Sequence, residues 1–177
     1  MFLDVKELAV RKLRIHKFYP PGTIDYHSEE FQQSDMLEVR ATAELVDGQI
    51  RLTGELHTRV ELVCARCLDP VTEEISREFD LLYRPMDSIR AEDDVQLDDE
   101  EAEVAFFEGT GFFLADALAE QVNLAIPMKA ICRSDCRGLC PQCGANLNHE
   151  DCHCQTHSID PRLAQIARVK QIWAKKQ

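Results

Sequence analysis

Six of the eight cysteines in this chain lie between residues 132 and 154, and this cluster constrains the fold more than any other feature. Within it, the sequence CPQCG at 140–144 has the form of a metal-binding knuckle. Two cysteines that bracket two residues can reach one ion, and the glycine permits the tight turn that follows. Cys152 and Cys154 lie a short loop away and can complete a tetrahedral site. The other two cysteines form a second C-x-x-C at residues 64–67.

Eight cysteines make two sets of four, and four thiolates are what a structural zinc ion binds. The first predicted site comprises Cys140, Cys143, Cys152 and Cys154. The second predicted site comprises Cys64, Cys67, Cys132 and Cys136. This second site would pin the tip of an upstream hairpin to the C-terminal segment. We therefore expect one or two Zn²⁺ ions per chain.

The cysteine spacing also allows other sets of metal ligands. Cys152 and Cys154 are separated by one residue and form a tight chelate, so Cys132, Cys136 or His149 can replace one of them. One zinc ion with some unliganded thiols is a competing count. Four cysteines can also hold an iron–sulfur cluster, although C-P-x-C-G is a common zinc-knuckle form. Redox chemistry at the upstream C-x-x-C is disfavoured, because the strand-to-helix setting of a thioredoxin-type motif is missing.

The sequence offers little sign of a catalytic motif. It contains no phosphate-binding G-x-x-x-x-G-K-[ST], no G-x-G-x-x-G and no G-x-S-x-G. Residues 149–153 read H-E-D-C-H and match H-E-x-x-H, but they lie inside the cysteine cluster, whereas the metalloprotease motif belongs on a helix. A hydrolytic zinc site also needs an open ligand position and a nearby general base, which four thiolates per ion do not leave. We therefore expect no enzymatic activity and infer no small-molecule substrate. With no membrane-spanning apolar run and no signal peptide, a cytoplasmic protein is expected, in which cysteines act as metal ligands.

Period-two alternation of apolar and polar residues defines the middle of the chain. Residues 37–45 alternate cleanly and predict a half-buried strand. Asp47-Gly48 follows, a strong hairpin signal because both central positions need positive φ. A second long strand leads to the C-x-x-C, with Gly54 as a candidate bulge. A third strand follows the turn, so the upstream cysteines are predicted at a hairpin tip.

The net charge of −12 conceals a strong asymmetry. Residues 86–103 are dense in Asp and Glu and predict a solvated acidic loop, with a docking segment for a basic partner or a nucleic-acid mimic as alternatives. A C-terminal helix beginning near Pro161 carries five cations and no acid. These candidate nucleic-acid-binding residues are Arg162, Arg168, Lys170, Lys175 and Lys176. Residues 1–20 are also basic, and we expect them to dock on the sheet or to act as a contact arm.

These patterns together predict an α+β fold. It consists of an antiparallel β-meander or barrel-like sheet with one packed helix, a C-terminal Cys-rich zinc knuckle and a terminal helix. The first predicted domain spans 1–128 and includes the acidic loop and a packed helix over 112–126. The second spans 129–177 and holds the zinc-binding segment with the basic helix.

The chain resembles the YceD family, known as large ribosomal RNA subunit accumulation proteins. Three stretches carry the resemblance: C-A-R-C-L at 64–68, the L-A-I-P-M ending at 124–128, and the cysteine pattern followed by D-P-R-L-A at 160–164. The resemblance implies ribosome biogenesis, through accumulation or processing of large-subunit rRNA. It implies RNA binding, with precursor rRNA or a ribosomal protein as partner, and brings no catalytic residues. The alternative function is a zinc-dependent nuclease or other enzyme acting on precursor rRNA.

Overall fold

The computed structural model describes residues 1–86 and 104–154. The predicted acidic loop, except Met86, and the predicted basic C-terminal helix fall outside the described residues. The chain divides into two compact units. The first comprises Met1–Cys64 and Asp69–Cys132, and the second comprises Ala65–Leu68 with the chain from Arg133 onward.

The first unit holds all the named strands and helices, and strands dominate it. In chain order these are β1 (Phe2–Asp4), α1 (Val5–Leu8), β2 (Leu13–Tyr19), β3 (Phe31–Gln33), β4 (Leu37–Val46), β5 (Gln49–Val63), β6 (Pro70–Pro85), β7 (Val104–Phe107), β8 (Gly111–Phe113) and α2 (Leu114–Ala125). The α+β class is confirmed at this level, since few helices accompany the sheet.

The three central strands form the predicted antiparallel meander. Asp47 and Gly48 adopt φ values of 50° and 79° in the β4–β5 turn, as the hairpin signal requires. Leu52 and Leu56 on β5 are fully buried, whereas Arg51 just before Leu52 and His57 just after Leu56 are exposed. The alternation therefore gives one face of the sheet to the core and leaves the other to solvent.

The sheet is open, and the barrel-like alternative is wrong. Its strand order is β2-β4-β5-β6-β7, with β3 pairing with β5 beside the end of β4. Among the described residues, β2 and β7 occupy opposite ends of this order and do not pair, so no closed ring of hydrogen bonds forms. The last strand also departs from a meander. β7 runs parallel to β6, and only the four residues Leu82–Pro85 meet it.

The bulge predicted at Gly54 does not form. This glycine pairs in unbroken register with Ala41 on β4 and with Phe79 on β6. Its role is a close approach of two backbones. A Cβ at this position would lie 2.3 Å from the carbonyl oxygen of Arg40 and 2.7 Å from Cα of Ala41. Only a residue without a side chain fits between these strands.

Helix α2 covers part of the buried side of the first unit and begins later than predicted. Residues Gly111–Phe113 form β8, which pairs with β1 in a separate two-stranded sheet. Five of the six buried residues of α2 repeat at helical spacing, and the sixth is Ala119; the five are Leu114, Ala117, Leu118, Gln121 and Val122. Gln121 accepts a hydrogen bond from Nε of Arg77 on β6 at 3.0 Å, which satisfies this buried amide oxygen. The helix ends before Pro127, as expected from the restricted backbone that precedes proline.

The N-terminal segment is docked on the sheet. Strand β2 pairs with β4 along its whole length, from Leu13 opposite Ala43 to Tyr19 opposite Leu37. Ile15 of this strand is buried in the core, while its neighbours Arg14 and His16 are exposed. The first of the two expectations for residues 1–20 is thus confirmed, and β2 becomes an edge strand of the sheet.

Candidate metal centres

A tight turn in the second unit shapes the first cysteine cluster. Leu139 and Asn146 form an isolated antiparallel bridge that closes the turn between them. The amide of Cys140 donates to the carbonyl of Ala145 at 2.8 Å, and the amide of Gly144 donates to the carbonyl of Cys140 at 2.9 Å. Gly144 has a φ of 76°, the left-handed conformation that glycine adopts at little cost. The C-P-x-C-G sequence therefore folds as a knuckle.

This knuckle brings four sulfurs together. The Sγ atoms of Cys140, Cys143, Cys152 and Cys154 all lie within 4.8 Å of one another. Four thiolates placed about 2.3 Å from one zinc ion in a tetrahedron are about 3.8 Å apart. The donor set thus has the composition and nearly the spacing of a structural zinc site, and such a site leaves no ligand position for water.

The electrostatics of this cluster suit a divalent cation. Backbone amides of Cys143 and Gln142 point at the sulfur of Cys140, with a further hydrogen bond from Cys152, and lower the pKa of Cys140 to about 6. The pKa of Cys154 is instead raised to about 12, by its hydrogen bond with the sulfur of Cys143 and by burial. At neutral pH the negative charge on Cys140 therefore disfavours ionisation of the Cys154 thiol. A bound cation would offset that charge and favour the thiolate form of both residues.

The remaining four cysteines also converge. The Sγ atoms of Cys64, Cys67, Cys132 and Cys136 lie within 4.8 Å of one another. Within the first unit, the amide of Cys132 donates to Sγ of Cys64 at 3.4 Å. Two cysteine clusters, each with four sulfurs, can therefore bind metal ions. No histidine of the described residues joins either cluster.

Arg66 of the hairpin tip makes two hydrogen bonds within the second unit, one through its side chain and one through its backbone. Nη1 of Arg66 donates to the carbonyl of Cys136 at 3.1 Å, and the amide of Leu139 donates to the carbonyl of Arg66 at 3.0 Å. Gly138 fits closely here, since a Cβ at its position would meet the Arg66 carbonyl oxygen at 3.0 Å. The tip residues therefore belong structurally with the Cys-rich segment, as their assignment to one unit indicates.

Asn148 positions the ligand loop, a role that the sequence reasoning missed. Its Nδ2 donates to Sγ of Cys136 at 3.3 Å. Its Oδ1 accepts from the amide of Arg137 and from Nη2 of Arg133, both at 2.9 Å. One amide side chain thus ties a predicted ligand sulfur to the loop around it, in the manner of groups that orient metal ligands from outside the coordination sphere. The N-L-N sequence after the knuckle was the only available signal.

The predicted site residues therefore divide into two groups. The structure brings together the same two sets of four cysteines that the spacing suggested, while metal occupancy and the identity of the metal stay predictions. The five cations proposed for nucleic-acid binding lie outside the described residues. They are Arg162, Arg168, Lys170, Lys175 and Lys176. In the part of the chain that is described, no helix is long and apolar enough to cross a membrane.

Comparison with known proteins identifies relatives. A family described as large ribosomal RNA subunit accumulation protein YceD has a model that matches residues 52–170. An uncharacterized protein of Mycobacterium tuberculosis is 30% identical, over 96% of this chain and 81% of that protein. The large ribosomal RNA subunit accumulation protein YCED homolog 1, chloroplastic, of Zea mays is 27% identical, over 78% of this chain and 54% of that protein. Its Arabidopsis thaliana counterpart of the same name is 29% identical, over 70% and 45%. No solved structure matches significantly.

Proposed function

Because this chain belongs to the YceD family, we propose that it is a non-enzymatic ribosome-biogenesis factor that supports accumulation or processing of large-subunit rRNA. The single observation that carries the proposal is the family match over residues 52–170, which begins within β5 and includes all eight cysteines. Two plant relatives named for large ribosomal RNA subunit accumulation support it. The partner in this proposal is precursor rRNA, a ribosomal protein, or both.

The cysteine clusters have a structural role in this proposal. Each supplies four thiolates, which complete the tetrahedral coordination of a zinc ion. No ligand position is then left at which a water molecule could be activated. Zinc bound in this way stabilises a small segment that has few buried apolar residues of its own. Thiolate ligands also need a reducing compartment, which agrees with a cytoplasmic location.

The proposal is tested by deleting the gene in the organism of origin and measuring mature large-subunit rRNA relative to small-subunit rRNA. We expect the ratio to fall, unprocessed large-subunit precursor to rise, and the wild-type gene to restore both. Cys143→Ser should fail to restore them because it removes a ligand, whereas Gln142→Ser in the same turn should succeed. An unchanged ratio in the deletion strain would refute the role in rRNA accumulation.

The absence of catalysis needs a separate measurement. Zinc-loaded wild-type protein is incubated with precursor large-subunit rRNA, and the RNA ends are mapped. We expect no cleavage, because the four thiolates of each cluster occupy every ligand position of a tetrahedral ion. Specific cleavage that disappears when the zinc is removed would favour the nuclease alternative.

A further inference from the structure

The exposed face of edge strand β2 carries an aromatic pair beside a cation. Arg14, His16 and Phe18 alternate with buried Ile15, so their side chains share the solvent side of the strand. The rings of His16 and Phe18 lie 5.0 Å apart between centroids at an angle of 53°. Phe18 is 53% exposed, and it is not among the residues that form or pack against the core. We refer to these three residues as the β2 face.

The charges around the β2 face favour an anionic ligand. Arg14 forms no ion pair with any residue in 1–86 or 104–154. Two acids of the neighbouring strand β4 already have partners. Glu38, opposite Phe18, is held by Nε2 of His16 at 3.0 Å and by Nη2 of Arg40 at 2.7 Å, and Glu44 is paired with Lys12. The hydrogen bond from His16 and the charge of Arg40 keep the pKa of Glu38 below its usual value. The carboxylate of Glu38 thus already has partners, while Arg14 remains available to a ligand on this face.

The adjoining surface offers room for a flat, polar ligand. A shallow depression of about 440 Å³ is lined by Arg14, His16 and Arg40, with Thr42 and Thr53 between them. Its lining offers guanidinium and hydroxyl donors beside the small apolar residues of β4 and β5, such as Ala41 and Gly54. Among its three residues the β2 face carries one large apolar side chain, that of Phe18, whereas the core of a protein interface is built from several.

We propose that the β2 face binds single-stranded RNA. A base stacks on the Phe18 ring, and His16 extends that platform, while a phosphate is contacted by Arg14. An unpaired strand is required, because bases within a duplex are not available to a side-chain ring. The inference rests on the proposed function in that it names how the factor contacts its RNA. It assigns RNA contact to residues at the opposite end of the chain from the C-terminal cations.

The test uses the full-length zinc-loaded protein and a fluorescent single-stranded oligoribonucleotide, with the same sequence as a duplex for comparison. We expect single-strand binding that weakens about tenfold in Phe18→Ala and is retained in Phe18→Tyr, which keeps a stacking ring. Arg14→Ala should reduce the slope of log K against log salt concentration by about 0.7, the value for one phosphate contact on a single strand.

Two matched variants control for nonspecific loss. Phe106→Ala removes another exposed aromatic ring, on β7, and Lys129→Ala removes another exposed cation; neither should alter affinity or salt slope. Equal affinity of wild type and Phe18→Ala would overturn the inference, as would equal loss in Phe106→Ala or preference for the duplex. Wild-type protein that binds no RNA would also overturn it, and would leave the rRNA ratio test of the proposed function unaffected. If Phe18→Ala kept RNA affinity but failed to restore rRNA in cells, the β2 face would be a protein contact instead.

Discussion

Replacing Cys143 with serine is expected to remove one zinc ion per chain and to loosen the segment around residues 139–154. The hydroxyl of serine is a poor replacement for a thiolate ligand, and structural zinc sites contribute about 10–16 kcal/mol of apparent binding free energy that is coupled to folding. Without the ion, the knuckle around Cys140 is held by two amide hydrogen bonds and one short bridge. These contacts alone stabilise the loop only weakly. Elemental analysis measures the zinc, and hydrogen exchange measures the loss of protection.

The matched control is Gln142→Ser, which lies between the two knuckle cysteines and leaves all eight sulfurs in place. It should keep the wild-type zinc content and exchange pattern. The first unit should stay protected in both variants, because no described residue after Ala130 belongs to its apolar core. If Cys143→Ser retained full zinc and full protection, the assignment of Cys143 as a ligand would be refuted.

Gly54→Ala is expected to destabilise the sheet by at least about 1–3 kcal/mol, the usual cost of forcing atoms into a packed interior. The added methyl would lie 2.3 Å from the Arg40 carbonyl oxygen and 2.8 Å from Cβ of Ala41. Neither group can rotate away, since one is backbone and the other is a Cβ atom fixed to it. β4 and β5 would have to separate at the middle of their pairing. Urea denaturation should show a lower midpoint at an unchanged m value.

Thr53→Ala provides the comparison at the neighbouring position of β5. Its side chain is on the opposite face of the sheet, so the substitution changes strand preference without a clash and should cost less than about 1 kcal/mol. A Gly54→Ala variant as stable as Thr53→Ala would mean that the close approach of β4 and β5 does not constrain this position.

Much of the central sheet could be predicted because its signals are local. Alternation in residues 37–45 and the Asp47-Gly48 turn each determine their own backbone, and both are found in the structure. Strand β8 was missed because three residues are too few to show a period. The parallel pairing of β7 with β6 was missed because the sequence of a short strand does not specify which strand it pairs with. Gly54 was interpreted as a bulge because sequence cannot distinguish an extra residue from a close approach between strands.

The cysteine clusters were predictable for a different reason. Four-ligand chemistry limits how eight cysteines can be divided, and the C-P-x-C-G turn fixes one pair without knowledge of the fold. The positions of Asn148 and Arg66 could not be predicted in this way. Their hydrogen bonds depend on which segments the folded chain brings together.

The most direct measurement is the metal content of the protein purified from its own cells without added metal. Elemental analysis should give two zinc ions per chain, one for each set of four sulfurs, and removal of zinc by a chelator should loosen the Cys-rich segment. One zinc ion per chain would contradict the division of the cysteines into two sites. Iron in place of zinc, or no metal at all, would contradict the structural role proposed for both clusters.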